Sequence, residues 1–328
     1  MGLPIALDVM GGDFAPSEII AGARRAKEEL GLEVILVGLP DRMGDTTGFE
    51  VFACSEVIDM DDDPGVSVRK KKDSSLVRAA ELVRDGKACA MVSAGNTGAT
   101  MASALLRMGR LPGVVRPCIV TPVPNPGKNP TALVDAGANA ECTPEMLVQF
   151  AKLACAYMNA HFQVATPSVG LLSIGEESSK GTPLVKETHE LLRSDSTINF
   201  FGNVEGRDII PSPVDVIVTD GFTGNVALKT IEGSLKYIFG EFVKAMGVDE
   251  NTKKAGETLA PYLLPVMASL TPENHGGAML LGLEGICIIS HGSSNATAIM
   301  NALRVADEMD KAGVVNQMRL AIRPDQEG

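Results

Sequence analysis

The chain has 328 residues, of which 45% are apolar and 21% charged, and its formal net charge at pH 7 is −12. This apolar content over this length predicts a folded protein with a large core and excludes wholesale disorder. The negative net charge disfavours non-specific binding to nucleic acid, so we expect no nucleic-acid partner.

Short apolar runs typical of buried strands alternate with helix-like stretches along the chain. The predicted strands are Pro4–Leu7, Glu33–Val37, Glu50–Ala53, Ala88–Val92, Cys118–Thr121, Thr131–Val134, Ser168–Ser173, Asn199–Phe201, Asp215–Thr219 and Gly285–Ser290. The predicted helices are Pro16–Leu30, Thr97–Met108, Pro144–Met158, Thr182–Leu192, Gly224–Met246 and Ser293–Lys311. Because the strands show little alternation, they predict a mostly parallel sheet that is covered on both faces. We therefore expect residues 1–328 to form one doubly wound α/β/α sandwich.

The segment 224–272 interrupts this alternation and predicts a projecting helical hairpin with a break near Gly247. Apolar residues recur in it at helical spacing, namely Ile231, Leu235, Ile238, Phe239, Phe242, Met246, Leu259, Leu263, Leu264, Val266, Met267 and Leu270. They must be buried somewhere, and a dimer interface is the favoured interpretation. Packing against the same chain and contact with a lipid bilayer are the alternatives.

Polar, glycine-rich turns follow five of the predicted strands. They are Asp8–Asp13, Ser93–Gly98, Gly175–Gly181, Asp220–Asn225 and His291–Asn295. Ligands of doubly wound folds bind beyond the carboxyl ends of the strands. The sequence thus predicts that these turns converge on one sheet edge and form one crevice.

The turn after the strand Ala88–Val92 is the most informative of the five. Its residues Ser93, Gly95, Asn96 and Thr97 precede a predicted helix, which we expect Thr97 to cap. Free backbone N–H groups and the positive end of a helix dipole suit an anion, most often phosphate. The turn lacks the Gly-Lys-Ser/Thr of a Walker loop. A capped helix without a ligand is the alternative interpretation.

The first turn carries Asp8, Gly11, Gly12 and Asp13. Two glycines let the backbone approach a ligand closely, and the carboxylates could orient donors or a water. An Asp at a strand end is equally often only a helix cap or turn former.

Two further turns carry candidate catalytic groups. Lys180 lies beside Gly181 and could set an ammonium group against a phosphate oxygen, although a loop lysine is usually only solvated. The motif Asp220–Asn225 provides a carboxylate, a hydroxyl and an amide at a helix start.

The last turn places His291 directly after a buried strand, with Ser293 and Ser294 opening a helix. This arrangement fits a general acid or base beside an anion site, although a lone histidine is more often structural.

The six cysteines form no CxxC pair and predict no zinc site, so we expect no metal and no cofactor. Neither Gly-x-Ser-x-Gly nor Gly-x-Gly-x-x-Gly after the first strand is present, which argues against a hydrolase elbow and a standard dinucleotide site. Since the first apolar run stops at Asp8 and no run is long enough for a membrane span, we expect a cytoplasmic protein with reduced thiols.

Taken together, these motifs resemble the PlsX family of phosphate acyltransferases in bacterial phospholipid synthesis. The resemblance spans nearly the whole chain and depends on Ile5–Pro16, Ser93–Ala99, Val134–Asn139, Gly202–Gly206, Asp220–Asn225, Leu228–Thr230 and His291–Ser294. Departures are small: Val9 stands where the family often has Ala, and the segment Asp41–Phe49 is short.

The resemblance implies an enzyme that moves a fatty acyl group from acyl carrier protein to inorganic phosphate, in a fold similar to phosphotransacetylases and isocitrate-dehydrogenase-like proteins. Phosphate would bind the Ser93–Thr97 turn with help from Lys180 and attack the thioester carbonyl. Oriented N–H groups or the hydroxyls of Ser293 and Ser294 would stabilise the oxyanion. His291 or Asp220 would manage the proton that ends on the leaving thiol, and Asn96 and Asn225 would orient groups. A phosphotransacetylase-like enzyme that uses acyl-CoA and a non-catalytic phosphate- or lipid-binding scaffold are the alternatives.

The resemblance also implies partners. Family members are homodimers that associate peripherally with the inner face of the cell membrane, where a membrane glycerol-3-phosphate acyltransferase consumes the product. The acidic carrier protein needs a positive docking surface, for which we expect either Arg69–Lys72 or the group Arg107, Arg110 and Arg116.

Overall fold

The computed structural model describes residues 2–270 and 276–323, and in them eleven strands form one sheet. The strands are β1 (Ile5–Asp8), β2 (Val34–Gly38), β3 (Glu50–Ala53), β4 (Ala90–Ser93), β5 (Cys118–Val123), β6 (Thr131–Val134), β7 (Ser168–Leu172), β8 (Asn199–Val204), β9 (Val216–Val218), β10 (Ala278–Leu281) and β11 (Ile286–Ile289). The helices are α1 (Ser17–Leu30), α2 (Pro40–Met43), α3 (Pro64–Lys70), α4 (Ser75–Arg84), α5 (Thr97–Arg107), α6 (Pro144–Phe162), α7 (Pro183–Ser194), α8 (Gly221–Ala245), α9 (Glu250–Ser269), α10 (Ala296–Lys311) and α11 (Val314–Ile322).

The strand order is β3-β2-β1-β4-β11-β10-β5-β6-β9-β7-β8. The five strands from β3 to β11 are mutually parallel, as are the four strands from β6 to β8. Between them, β10 is antiparallel to both β11 and β5, and β5 is antiparallel to β6. The prediction of a mostly parallel α/β sandwich is therefore confirmed.

The prediction that all five turns share one sheet edge is wrong, because the two parallel groups run in opposite directions. The turns after β1, β4 and β11 lie at one edge, and those after β7 and β9 lie at the other. A crevice that includes both sets must cross the face of the central strands β10 and β5.

Alternate residues of each strand pack into two separate apolar cores, one on each face of the sheet. Leu7 and Val92 face the core that α1, α6, α10 and α11 cover. Ala6 and Met91 face the core that α3, α4, α5 and the first turns of α8 cover. Leu7, Val92, Ala6 and Met91 are fully buried, and full burial of a large apolar side chain contributes about 1.5–3 kcal/mol.

Helices α8 and α9 form the predicted hairpin. Helix α8 begins at Gly221 rather than residue 224, because the Asp220 side chain caps it, and the predicted end at residue 272 lies outside the described residues. Phe242, Tyr262 and Leu264 are 58%, 75% and 60% exposed, so the described residues leave these apolar side chains of the hairpin uncovered. Among the described residues, no helix has the length and apolar character needed to cross a membrane.

Candidate active site

The turns after β1, β4 and β11 are in direct backbone contact. The Asp13 N–H donates to the Gly292 carbonyl at 2.8 Å. A Cβ atom on Gly11 would lie 2.6 Å from Gly95 Cα, so the two turns touch where only glycine fits. Gly12 adopts a φ of +113° against Ala94 and Gly292, a conformation that glycine adopts readily. These three sequence-predicted turns therefore form one structural unit.

The buried carboxyl group of Asp8 stabilises these turns through hydrogen bonds. Asp8 accepts hydrogen bonds from Ser93 Oγ at 2.7 Å and from the Met10 N–H at 3.1 Å. Ser93 Oγ in turn accepts from the Gly95 N–H at 3.0 Å. Burial raises the pKa of Asp8, and the Ser75 and Ser93 hydroxyls oppose this shift. Because Asp8 and Ser93 are buried and hydrogen-bonded to each other, they hold the turn in shape.

Asn96, and not Thr97 as predicted, caps α5. Asn96 Oδ1 accepts from the Ala99 N–H at 3.0 Å, and Thr97 is the first helical residue. The amide of Asn96 also donates to the carbonyls of Met60 and Asp62, which fixes the preceding loop beside the turn. Asn96 takes the Ala99 N–H, so the Thr97 N–H at the start of α5 lacks an intrahelical acceptor and suits an anion.

The turn after β11 orders the imidazole of His291. The Ser293 N–H donates to His291 Nδ1 at 3.2 Å, which assigns the ring proton to Nε2. Ser293 Oγ lies 2.8 Å from the same Nδ1 atom. Ser294 is buried, and its Oγ bonds the His291 carbonyl and the Ser290 hydroxyl. His291 and Ser293 are exposed, whereas Ser294 supports the turn.

At the opposite sheet edge, Asp220 caps α8 by accepting from the N–H and the hydroxyl of Thr223 at 2.9 and 2.8 Å. Asn225 lies one turn into the helix and is exposed. Its Cβ lies 3.4 Å from where a Cβ on Gly137 would be, so the loop after β6 packs against it.

That loop is organised by Asp135, a fully buried carboxylate that the sequence analysis did not single out as a site residue. Its oxygens accept from the N–H groups of Ile119, Gly137, Ala138 and Asn139 and from the Asn139 amide, at 2.8 to 3.1 Å. Burial raises the pKa of Asp135, which the donors oppose. A Cβ on Gly224 would lie 2.0 Å from the Asp135 carbonyl oxygen, so α8 begins in tight contact with this loop.

A cavity of about 800 Å³ crosses the face of β10 and β5 between the two groups of turns. Its polar wall includes Thr97, His291 and Ser293 from one edge and Asn225 from the other. Its apolar wall comes largely from α8 and the central strands, and includes Ile119, Leu228, Leu235, Phe239, Leu270 and Ile289. An arrangement of donors at one end and apolar side chains at the other suits an anion beside a long apolar chain.

The other sequence-predicted site residues do not line this cavity, namely Asp8, Gly11, Gly12, Asp13, Ser93, Gly95, Asn96, Lys180, Asp220 and Ser294. Lys180 is exposed on the loop after β7. Its N–H donates to the Glu177 carbonyl, which also accepts from the Asn203 amide at 2.9 Å. Apart from Asn225, the side chains of α8 that line the cavity were not predicted as site residues, although the helical period of 225, 228, 229 and 232 places them on one face.

The two basic surfaces differ in how far their charges are neutralised. Lys71 bonds Asp62 at 2.6 Å, whereas neighbouring Arg69, Lys70 and Lys72 are exposed and form no ion pair with the described residues. In the second group, Arg107 lies 3.6 Å from Glu81 and Arg110 bonds the Val115 carbonyl. The described part of the chain holds no cluster of three His, Cys, Asp or Glu side chains that could bind a metal ion.

Comparison with known proteins identifies the family. Residues 3–317 match the model of a family described as fatty acid synthesis protein. A phosphate acyltransferase from Elusimicrobium minutum is 48% identical over 96% of this chain and 94% of its own length. A phosphate acyltransferase from Halothermothrix orenii is 44% identical over 98% of this chain and 99% of its own length.

Solved structures share the fold at low sequence identity. A branched-chain phosphotransacylase from Enterococcus faecalis superposes with a TM-score of 0.62 at 16% identity, covering 93% of this chain and 99% of that one. A phosphotransacetylase from Streptococcus pyogenes gives a TM-score of 0.58 at 18% identity, covering 98% and 94% of the two chains. The full-length matches at 44–48% identity show that the chain belongs to the phosphate acyltransferase family.

Proposed function

We propose that the protein transfers a fatty acyl group from acyl carrier protein to inorganic phosphate and releases acyl-phosphate for phospholipid synthesis. The observation that carries this proposal is the cavity, which combines helix-terminal N–H groups and hydroxyls with an apolar wall. The anion-binding end suits phosphate, and the apolar wall of α8 suits an acyl chain. The names of the full-length relatives support the same reaction.

The reaction needs positioning more than a strong base. A phosphate oxygen attacks the thioester carbonyl, the new C–O bond forms, and the C–S bond breaks to release the carrier thiolate. The proton of the attacking phosphate passes to that sulfur. Since phosphate is already partly dianionic at neutral pH, holding it against the carbonyl supplies most of the rate enhancement.

We assign roles to the residues that line the cavity. The first-turn N–H group of Thr97 in α5 binds a phosphate oxygen. The Ser293 hydroxyl turns from His291 Nδ1 toward the substrate and stabilises the oxyanion. His291 Nε2–H hydrogen-bonds the leaving sulfur and stabilises the thiolate until the phosphate proton reaches it, because Nδ1 accepts from Ser293 and the ring proton is on Nε2. Asn225 orients the thioester from the opposite wall.

The test incubates purified protein with phosphate and a long-chain acyl-carrier thioester and measures acyl-phosphate. We expect phosphate-dependent product, and faster turnover than with the matching acyl-CoA. Equal or faster turnover of acyl-CoA would reject the carrier as the donor, and thioester binding without product would reject the reaction.

Lys180 and Asp220 remain candidate catalytic residues. In Lys180→Ala we expect a reduced rate. For Asp220 a pair of variants separates chemistry from helix capping, because Asn caps as well as Asp and Ala does not. A lower rate in Asp220→Asn supports a role in chemistry, whereas a lower rate only in Asp220→Ala supports capping alone. Near-normal rates in both Lys180→Ala and Asp220→Asn would remove both residues from the mechanism.

For the acidic carrier protein we favour docking on Arg69–Lys72, because three of its four cations are free of ion pairs with described residues. The double variant Arg69→Glu/Lys70→Glu should raise KM for the carrier substrate and flatten its salt dependence. Lys186→Glu on α7, which packs on the other face of the sheet, is the matched control. An unchanged KM would contradict the docking surface.

The exposed apolar side chains of α8 and α9 support a homodimer interface. Light scattering should give a dimer mass for the wild type and a monomer mass for Phe242→Asp/Tyr262→Asp. A dimer that survives both changes would contradict this interface.

Val248 is 76% exposed between α8 and α9 and supports peripheral contact with the membrane. This contact would be with the inner face of the membrane, where a glycerol-3-phosphate acyltransferase would take the product. Flotation with lipid vesicles should fail in Val248→Asp, and flotation equal to wild type would contradict this contact.

A further inference from the structure

The wall of the phosphate-binding cavity carries two lysines, Lys229 and Lys236, both on α8. Among the described residues that line the cavity, these are the only lysine or arginine side chains. Glu232 lies between them on the same wall, and Lys229 Nζ lies 2.7 Å from Glu232 Oε2.

The position of Lys229 relates it to the polar end of the cavity. Residues four apart lie one above the other on a helix, so Lys229 follows Asn225 on the same face at a rise of about 6 Å. Lys236 lies seven residues further, about 10 Å along the axis, beside Phe239 at the apolar end. Lys229 is therefore the lysine that can reach an anion held between Thr97 and Ser293.

The opposite wall offers hydrogen-bond donors but no lysine or arginine among its described lining residues. Ser93 Oγ donates to the buried carboxyl group of Asp8 and accepts from the Gly95 N–H. The Ser93 hydroxyl and the Gly95 N–H are therefore not available to a ligand. A multiply charged phosphate in a partly enclosed site needs a nearby positive charge, because the cavity wall cannot hydrate it as bulk water does.

We propose that Lys229 is a phosphate-binding residue whose ammonium group faces inorganic phosphate across the cavity from Thr97, and that Glu232 competes with phosphate for this ammonium group. This inference rests on the proposed function, since phosphate is the nucleophile of that reaction. The Lys229–Glu232 pair is half exposed, with side-chain exposures of 50% and 25%, so phosphate competes with a weak ion pair.

The two members of the pair should shift phosphate affinity in opposite directions. Lys229→Gln should raise KM for phosphate about tenfold while KM for the acyl donor changes less than about twofold, because a charge-assisted contact to phosphate is lost. Glu232→Gln should lower KM for phosphate about two- to threefold, since it removes a competing negative charge. A merely structural role would not produce this reversal of sign.

A matched pair lies further along the same helix. Lys244 Nζ bonds Glu241 Oε1 at 2.7 Å with the same three-residue spacing, outside the cavity lining. Lys244→Gln and Glu241→Gln should leave both KM values unchanged. An unchanged KM for phosphate in Lys229→Gln, or a shift in the same direction in both cavity variants, would overturn the inference.

A binding measurement separates this inference from the proposed reaction. Titration of wild type and Lys229→Gln with inorganic phosphate, followed by ³¹P line broadening, should show weaker binding in the variant. If wild type forms no acyl-phosphate but binds phosphate more tightly than Lys229→Gln does, the proposed reaction is wrong and the phosphate-binding role of Lys229 stands. Equal phosphate binding by the two proteins, or none by wild type, would overturn this role.

Discussion

Replacing Asp135 with Asn should separate the loop after β6 from the start of α8. One carboxylate oxygen accepts from the N–H groups of Ile119, Gly137 and Ala138, and the other accepts from the N–H and the amide of Asn139. An Asn side chain whose oxygen takes the first position keeps the hydrogen bonds from Ile119, Gly137 and Ala138. Its NH₂ group then faces the two donors of Asn139, the N–H and the amide, and accepts from neither. A hydrogen bond to a charged group contributes about 1.5–3 kcal/mol, so losing two costs about 3–6 kcal/mol.

The net loss should fall near the lower end of that range, because an amide is easier to bury than a carboxylate. We expect the free energy of unfolding to drop by about 3 kcal/mol in Asp135→Asn. Since Gly137 of this loop packs on Asn225, a displacement near 1 Å should also lower kcat, by about 10²-fold.

Denaturant unfolding followed by circular dichroism measures the first effect, and acyl-phosphate formation measures the second. Asp249→Asn is the control, because Asp249 is an exposed capping residue and Asn caps equally well. If Asp135→Asn is as stable and as active as that control, Asp135 does not hold the start of α8.

Three further predictions concern the contact between the turns, the buried Asp8 and the cysteines. Gly11→Ala should lower the free energy of unfolding by about 1–3 kcal/mol, because its Cβ would lie 2.6 Å from Gly95 Cα. Gly65→Ala is the control and should not lower it, because the nearest atom to its Cβ would be 3.8 Å away. Equal stabilities of the two variants would contradict the close approach of the turns. Burial raises the pKa of Asp8, so the contribution of this group to stability is complete below its unfolded pKa of about 3.9 and is lost as pH rises through its folded pKa. The free energy of unfolding of wild type, relative to that of Asp8→Asn, should therefore fall as pH rises over this range. The same pH dependence in both proteins would refute this. Burial raises the pKa of the Cys54 and Cys142 thiols to about 11, so iodoacetamide should label both slowly at pH 8 until the protein unfolds, and rapid labelling of the native protein by intact mass would contradict this.

Local pattern was sufficient for most of the elements. The predicted strands Glu50–Ala53 and Thr131–Val134 match β3 and β6 residue for residue. Strand β10 was missed, since Ala278–Leu281 is a short run with no helix directly after it.

The site was harder to predict because strand direction is a tertiary property. Antiparallel β10 and the β5–β6 hairpin reverse the second half of the sheet, and this sends the turns after β7 and β9 to the far edge. The polar turns were correctly recognised as motifs, yet the wall that joins His291 to Asn225 comes from α8 and β5, whose apolar residues looked like ordinary core.

The central claim is that bound phosphate, and not water, is the nucleophile that attacks the acyl group. The most direct measurement runs the reaction in ¹⁸O-labelled water with unlabelled phosphate and an acyl-carrier thioester, and determines the mass of the acyl-phosphate formed. Direct attack predicts product without solvent oxygen, because the bridging oxygen comes from phosphate. Labelled oxygen in the acyl group would show that water attacks first and would contradict the account.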